Sequence, residues 1–145
     1  MKFSIIAFLL VGYAFGQTDI YQKRGYAIGG YDIVSYFDGV VKEGDKALSS
    51  EFNKVTFLFS SKENLEKFTA EPERYLPEYG GFCAYGVALN KKVKVDPKTY
   101  EIRDGKLYLF YNSWGMNTLT RWQKANPDSL KLVADKNWEK IKGKG

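Results

Sequence analysis

Two short turns constrain this chain more than any other feature. Asn53-Lys54 and Asp104-Gly105 each sit between strand-forming, aromatic-rich segments, "SSEF" with "VTFLFSS" and "TYEIR" with "KLYLFYN". Two-residue turns that tolerate positive φ close β-hairpins. In the first hairpin Phe57 and Phe59 alternate with Thr56 and Leu58. In the second, Tyr100, Ile102, Leu107, Leu109 and Tyr111 supply one face. A third β-prone run, "DIVSYF" from Asp32 to Phe37, is bounded by Gly30 and an Asp-Gly pair.

Helical signals fall between and after the hairpins. "SSKE" puts Ser60 at an N-cap with Glu63 three residues on, a capping box, and Leu65 and Phe68 follow on one face. Pro72 should stop that helix by Glu71. "FCAYGVAL" is short enough for helix or strand, and its spacing favours a short helix. The C-terminal third reads as two helices broken at Asn126-Pro127, the first carrying Trp114, Leu119 and Trp122, the second Leu130, Val133 and Trp138. The expected fold is therefore α+β: a small antiparallel sheet of two hairpins plus the Asp32–Phe37 strand, covered on one face by short helices. With 145 residues, 44% of them apolar, one such domain can fill its core without disulfides.

The first 16 residues read as an export signal rather than part of the fold. Lys2 precedes the apolar run "FSIIAFLLVGYAF", which is short for a membrane span, and "AFGQ" places small residues before Gln17. No second long apolar run follows. Residues 17–145 are expected as one mature domain without a transmembrane segment, in a periplasmic or extracellular setting. Loss of Lys2 would lower the formal charge of +5 by one, and the lysine-rich tail from Lys136 to Lys144 carries much of the remainder. Such a tail is either a solvated end or a contact for an anionic surface. Nucleic acid is not an expected partner in that compartment.

The chain has no histidine and one cysteine, Cys83. Ser-His and Cys-His catalytic pairs are thereby excluded. Cys83, in "YGGFCAYGV", is a buried hydrophobe, a redox thiol, or a soft ligand for Cu(I) or another thiophilic ion, which would need help from Met116, a carboxylate or a partner protein. Structural zinc does not fit, because a closed site takes four Cys or His ligands. Asp32, inside an apolar stretch, must either accept hydrogen bonds that fix its turn or ligate a cation. Tyr79, Phe82, Tyr85, Tyr108 and Tyr111 either line a pocket or pack the core. Arg74, Glu73 and Glu78 read as solvated surface.

The stretch "FNKVTFLFSSKENLEKFTAEPERYLPEYGGFCAYGV" resembles the YHS domain family in its aromatic hairpin, the helix that follows and the P-x-x-Y segment Pro72–Tyr75. "AIGGYDIVSYF" upstream and "DGKLYLFYN" with "ADKNW" downstream resemble its small exported subgroup, so the likeness runs over about residues 26–138. It implies a YHS/TRASH-like core and a role in metal handling. The positions where metal-binding members carry ligands hold Ser49, Ser50, Ser60, Ser61 and Asn64 here, without His or thiol. Cys83 and Asp32 are what match the exported subgroup. The resemblance implies an exported, non-catalytic binding module for copper or another soft metal ion; with the residue chemistry above, Cys83 and Met116 are the candidate ligands and Asp32 and Tyr85 further candidates. A metal-free structural or interaction domain, meeting an envelope protein partner, is the alternative, and a thiol redox protein using Cys83 is the third.

Overall fold

The computed structural model describes residues 19–144, so the export signal expected over residues 1–16 lies outside the described residues. The chain is mixed α and β. Two-residue strands β1 (Gln22–Lys23) and β2 (Tyr26–Ala27) pair first. After a looped segment come β3 (Asp45–Phe52) and β4 (Val55–Phe59), then helices α1 (Lys62–Ala70) and α2 (Pro72–Tyr75). A 3₁₀ turn over Glu78–Gly81 leads into the short helix α3 (Ala84–Ala88). Strands β5 (Asp96–Arg103) and β6 (Lys106–Phe110) form the second long hairpin, and β7 (Asn112–Ser113) and β8 (Met116–Asn117) a small one. Helices α4 (Thr118–Lys124) and α5 (Pro127–Ile141) complete the order.

Both long hairpins form as their turns dictate. Asn53, Lys54, Asp104 and Gly105 all have positive φ, and the flanking pairs are Phe52 with Val55 and Arg103 with Lys106. The hairpins do not join into one sheet, however. The described strands make four separate two-stranded antiparallel ladders. The reason lies in the inner strands. Leu107, Tyr108, Leu109 and Phe110 are all buried, as are Phe57, Leu58 and Phe59, so β4 and β6 meet core on both faces instead of one. Helices fill the space between them. Phe68 of α1 lies 5.0 Å from both Phe57 and Phe59 by ring centroids. Trp122 of α4 packs 5.5 Å from Phe110 and 5.9 Å from Tyr108.

The third expected strand is absent. Asp32–Phe37 is curled, with a 3₁₀ turn over Ser35–Asp38, and only Tyr31 makes an isolated bridge, to Glu43. Asp32 causes this. Its Oδ1 accepts from the backbone N–H groups of Val34 (2.9 Å) and Ser35 (3.2 Å), which removes both donors from any ladder.

The capping position also moves by one residue. Ser61, not Ser60, caps α1, accepting from the N–H of Asn64 at 3.1 Å. Ser60 is held by Asp32 instead, and Glu63 pairs with Lys67 on the exposed face. Trp114 is not helical: with Gly115 it forms the β7–β8 turn, and α4 starts at Thr118, capped by Asn117. The Asn126-Pro127 break stands where the sequence puts it, with the Asn126 side chain capping α5.

Candidate functional site

Gly80 and Gly81 set the position of Cys83. Both have positive φ, and neither has room for a side chain. A Cβ on Gly80 would stand 1.6 Å from the Asp19 carbonyl oxygen, and one on Gly81 2.3 Å from Ile28 Cδ1. The Gly pair lets the chain pass under the N-terminal segment, and the Gly80 carbonyl accepts from the Tyr21 N–H at 2.8 Å. Cys83 then emerges at the N-cap of α3, its own N–H donating to the Val93 carbonyl at 3.0 Å.

The Cys83 thiol is fully buried and fully partnered. Sγ accepts from the Gly86 N–H at 3.4 Å and lies 3.3 Å from Thr118 Oγ1. Thr118 spends its own hydroxyl hydrogen on the Tyr111 carbonyl at 2.6 Å, so the thiol is the donor to Thr118. The relay runs from Cys83 through Thr118 to Tyr111 and ties α3 to the start of α4.

Above this relay lies a cleft of about 360 Å³. Cys83 and Thr118 form its floor, with Gly86 of α3. Tyr85, half-buried on α3, Tyr111 and Met116 of β8 form walls, and Leu89 and Val93 extend the apolar lining. Lys91 and Arg121 are the charged residues that line it. Three of the four residues singled out from the sequence, Cys83, Tyr85 and Met116, thus meet in one place although they come from an N-cap, a helix and a hairpin. Of the aromatics considered as pocket walls, Tyr85 and Tyr111 line this cleft, while Tyr108 is wholly buried in the core. Lys91, Arg121, Leu89 and Thr118 escaped sequence reading. The only hint was that "NKKVKV" places lysines directly after an apolar helix.

Asp32 does not line the cleft. It sits, fully buried, between the curled loop and the start of α1. Besides its two loop contacts, Oδ2 accepts from the Ser60 N–H (2.9 Å), the Ser60 hydroxyl (2.6 Å) and Asn64 Nδ2 (2.8 Å). Five donors occupy both oxygens, and the negative charge stands at the N-terminal end of a helix, where the macrodipole favours it. That geometry gives Asp32 the work of a clip. It closes the hairpin–helix turn with neutral donors, among them the side chains of Ser60 and Asn64.

A second cleft, of about 430 Å³, is polar and internally paired. There Tyr79 donates to Asp135 at 2.8 Å, Lys131 meets Asp135 at 2.7 Å, and Lys106 approaches Glu78 at 4.0 Å. Glu78 is not plain surface: burial pushes its carboxyl above the usual carboxylate range, and Lys106 only partly offsets this. The Tyr108 hydroxyl is buried without a hydrogen-bond partner among the described residues. Its phenol is pushed above the usual range, first by burial and then by Glu78 and Asp135.

Comparison of the chain with protein-family models, with curated proteins and with solved structures finds no match. Among the described residues there is no group of three or more His, Cys, Asp or Glu side chains placed to hold a metal ion. Cys83 and Met116 are the sulfur-bearing residues among those that line the cleft, too few ligands for a closed zinc site. No helix of the described residues is long and apolar enough to cross a membrane.

Proposed function

We propose that this chain is an exported, non-catalytic binding module on a YHS-like scaffold, and that the cleft over Cys83 is where it binds. One observation carries the reading: Cys83, Tyr85 and Met116 converge on a single mainly apolar cleft of about 360 Å³. That volume lies at the lower end of the roughly 300–1,000 Å³ typical of small-molecule sites, enough for one small organic ligand. With no histidine in the chain and its one thiol held as a helix cap, the site has walls and a floor but no general base beside a nucleophile.

A neutral apolar fluorophore, N-phenyl-1-naphthylamine, tests the site without presuming the ligand. The tag-free protein should enhance its emission saturably. Leu89→Asp should abolish the effect with an unchanged far-ultraviolet spectrum, since Leu89 is 56% exposed and its loss does not open the core. No enhancement, or enhancement indifferent to Leu89→Asp, removes this cleft as the site.

A second reading uses both sulfurs: a thiophilic ion such as Cu(I) between Cys83 and Met116. It requires the thiol to leave Thr118 and lose its proton. Competition against a Cu(I) chelator then falls in both Cys83→Ser and Met116→Leu, the latter removing the thioether at nearly constant volume. Wild-type protein that takes no Cu(I) from the chelator ends that reading and leaves the first intact.

A further inference from the structure

We propose that the ligand of the Cys83 cleft is a small amphipathic anion, of the class of a medium-chain carboxylate. The inference rests on the cleft being the working site and adds the charge of its occupant. The lining is apolar along Leu89, Val93 and Met116, yet its two charged members, Lys91 and Arg121, are both cationic, and no acidic residue lines it. Neither cation has an ion-pair partner among the described residues. Most surface cations among the described residues are likewise unpaired; what sets these two apart is that they line one apolar cleft together with no acidic neighbour in it. An apolar trough with two uncompensated cations and no counter-charge fits a molecule with an apolar body and one negative end. Arg121 can receive a carboxylate in a bidentate fork, and Lys91 adds a second positive charge.

Shape argues against larger anionic partners. A site of about 360 Å³ has room for one small molecule, not for a peptide segment. A bilayer surface would be met by a protruding, apolar and basic face, whereas this site is concave. The nearby projection, Trp114, is 96% exposed at the tip of the hairpin that supplies Met116, and it is not among the residues that line the cleft.

The test displaces N-phenyl-1-naphthylamine from the tag-free protein with two amphiphiles of equal chain length and opposite charge, decanoate and decylammonium, both below their micelle concentrations. Decanoate should compete roughly ten-fold more strongly, the sum of two exposed charge contacts, and the gap should narrow as salt is raised. Lys91→Gln with Arg121→Gln should abolish the preference while leaving the fluorophore bound. Equal displacement by both amphiphiles, with the fluorophore still sensitive to Leu89→Asp, overturns the anion inference but keeps the site. Loss of fluorophore binding in the wild type overturns both. Sedimentation with phosphatidylglycerol vesicles, without any response to decanoate, overturns the inference in favour of a membrane surface.

Discussion

Replacing Asp32 with Asn tests the central clip of the fold. The substitution keeps shape and keeps Oδ1, so the Val34 and Ser35 N–H groups retain their acceptor. It puts an NH₂ where Oδ2 now accepts from the Ser60 N–H, the Ser60 hydroxyl and Asn64 Nδ2. The Ser60 hydroxyl can rotate and Asn64 can turn its amide over. The Ser60 N–H cannot move and loses its acceptor. Hydrogen bonds to a charged group are worth about 1.5–3 kcal/mol each. Three are lost, two are partly recovered as neutral contacts, and a neutral amide is cheaper to bury than a carboxylate. The net loss should be about 2–4 kcal/mol, a large part of the roughly 5–15 kcal/mol typical of a domain. Urea unfolding followed by far-ultraviolet circular dichroism and by tryptophan emission should show a lower midpoint with unchanged slope. A double-mutant cycle isolates the contact: Ser60→Ala should cost about 1.5–3 kcal/mol in the wild type and only about 0.5–1.5 kcal/mol, a neutral hydrogen bond, once Asp32 is Asn. A loss below about 1 kcal/mol for Asp32→Asn, or full additivity with Ser60→Ala, would refute the argument.

Three further outcomes follow from the same structure. Gly80→Ala should cost at least about 2 kcal/mol, because it combines a left-handed backbone with a Cβ driven into the Asp19 carbonyl, and faster hydrogen exchange at the Tyr21 amide would show the N-terminal segment lifting. Glu78→Gln should stabilise the protein at neutral pH. The folded carboxyl is raised above its unfolded value, so the folded state binds more protons in that window, the group's relative stability is highest in acid, and it is lost as pH rises through the folded pKa. Denaturation midpoints of the two proteins should therefore converge as pH falls below the unfolded carboxylate range, and a gap that widens in acid would contradict this. Cys83 should resist thiol reagents until the protein unfolds, and Cys83→Ser should cost less than Cys83→Ala, since a hydroxyl can still accept from Gly86 and donate to Thr118. Equal losses in the two variants, by urea titration, would mean that the relay contributes nothing.

How far the sequence reaches depends on whether a signal is local. The turns at Asn53-Lys54 and Asp104-Gly105, the stop at Pro72 and the break at Asn126-Pro127 are properties of a few adjacent residues, and each lies where those residues dictate. The failures are contests decided at a distance. "DIVSYF" has strand propensity throughout, but one carboxylate takes the N–H groups of Val34 and Ser35. Ser60 looks as good a cap as Ser61 until Asp32, 28 residues earlier, claims it. The alternation in β6 is likewise real in sequence. It predicts a one-sided strand only if nothing covers the other face, and Trp122 of α4 packs against Tyr108 and Phe110.

The candidate site divides in the same way. Cys83 is conspicuous as the only thiol, and Met116 as the one methionine besides Met1. Lys91 and Arg121 are two among 22 basic residues, and nothing in their sequence neighbours marks them as lining one cleft. What brings them together is the relay beneath. Thr118 holds the Cys83 thiol on one side and the Tyr111 carbonyl on the other. It thereby fixes the α3 N-cap against the base of the β7–β8 hairpin, with Met116 just before Thr118 and Arg121 one helical turn after it. A thiol suits that position. It packs as a small, largely apolar group under the cleft while still accepting from Gly86 and donating to Thr118, so polar satisfaction is kept. The same side chain that closes the core therefore also sets the spacing between the sulfur and the two cations, and a change at Thr118 should alter ligand preference without any contact to the ligand's charged end. Thr118→Val, which keeps volume and deletes the hydroxyl, should leave the thiol without its acceptor. Decanoate competition should then weaken by a few-fold, whereas an unchanged preference would show that α3 and the hairpin keep their spacing without the relay.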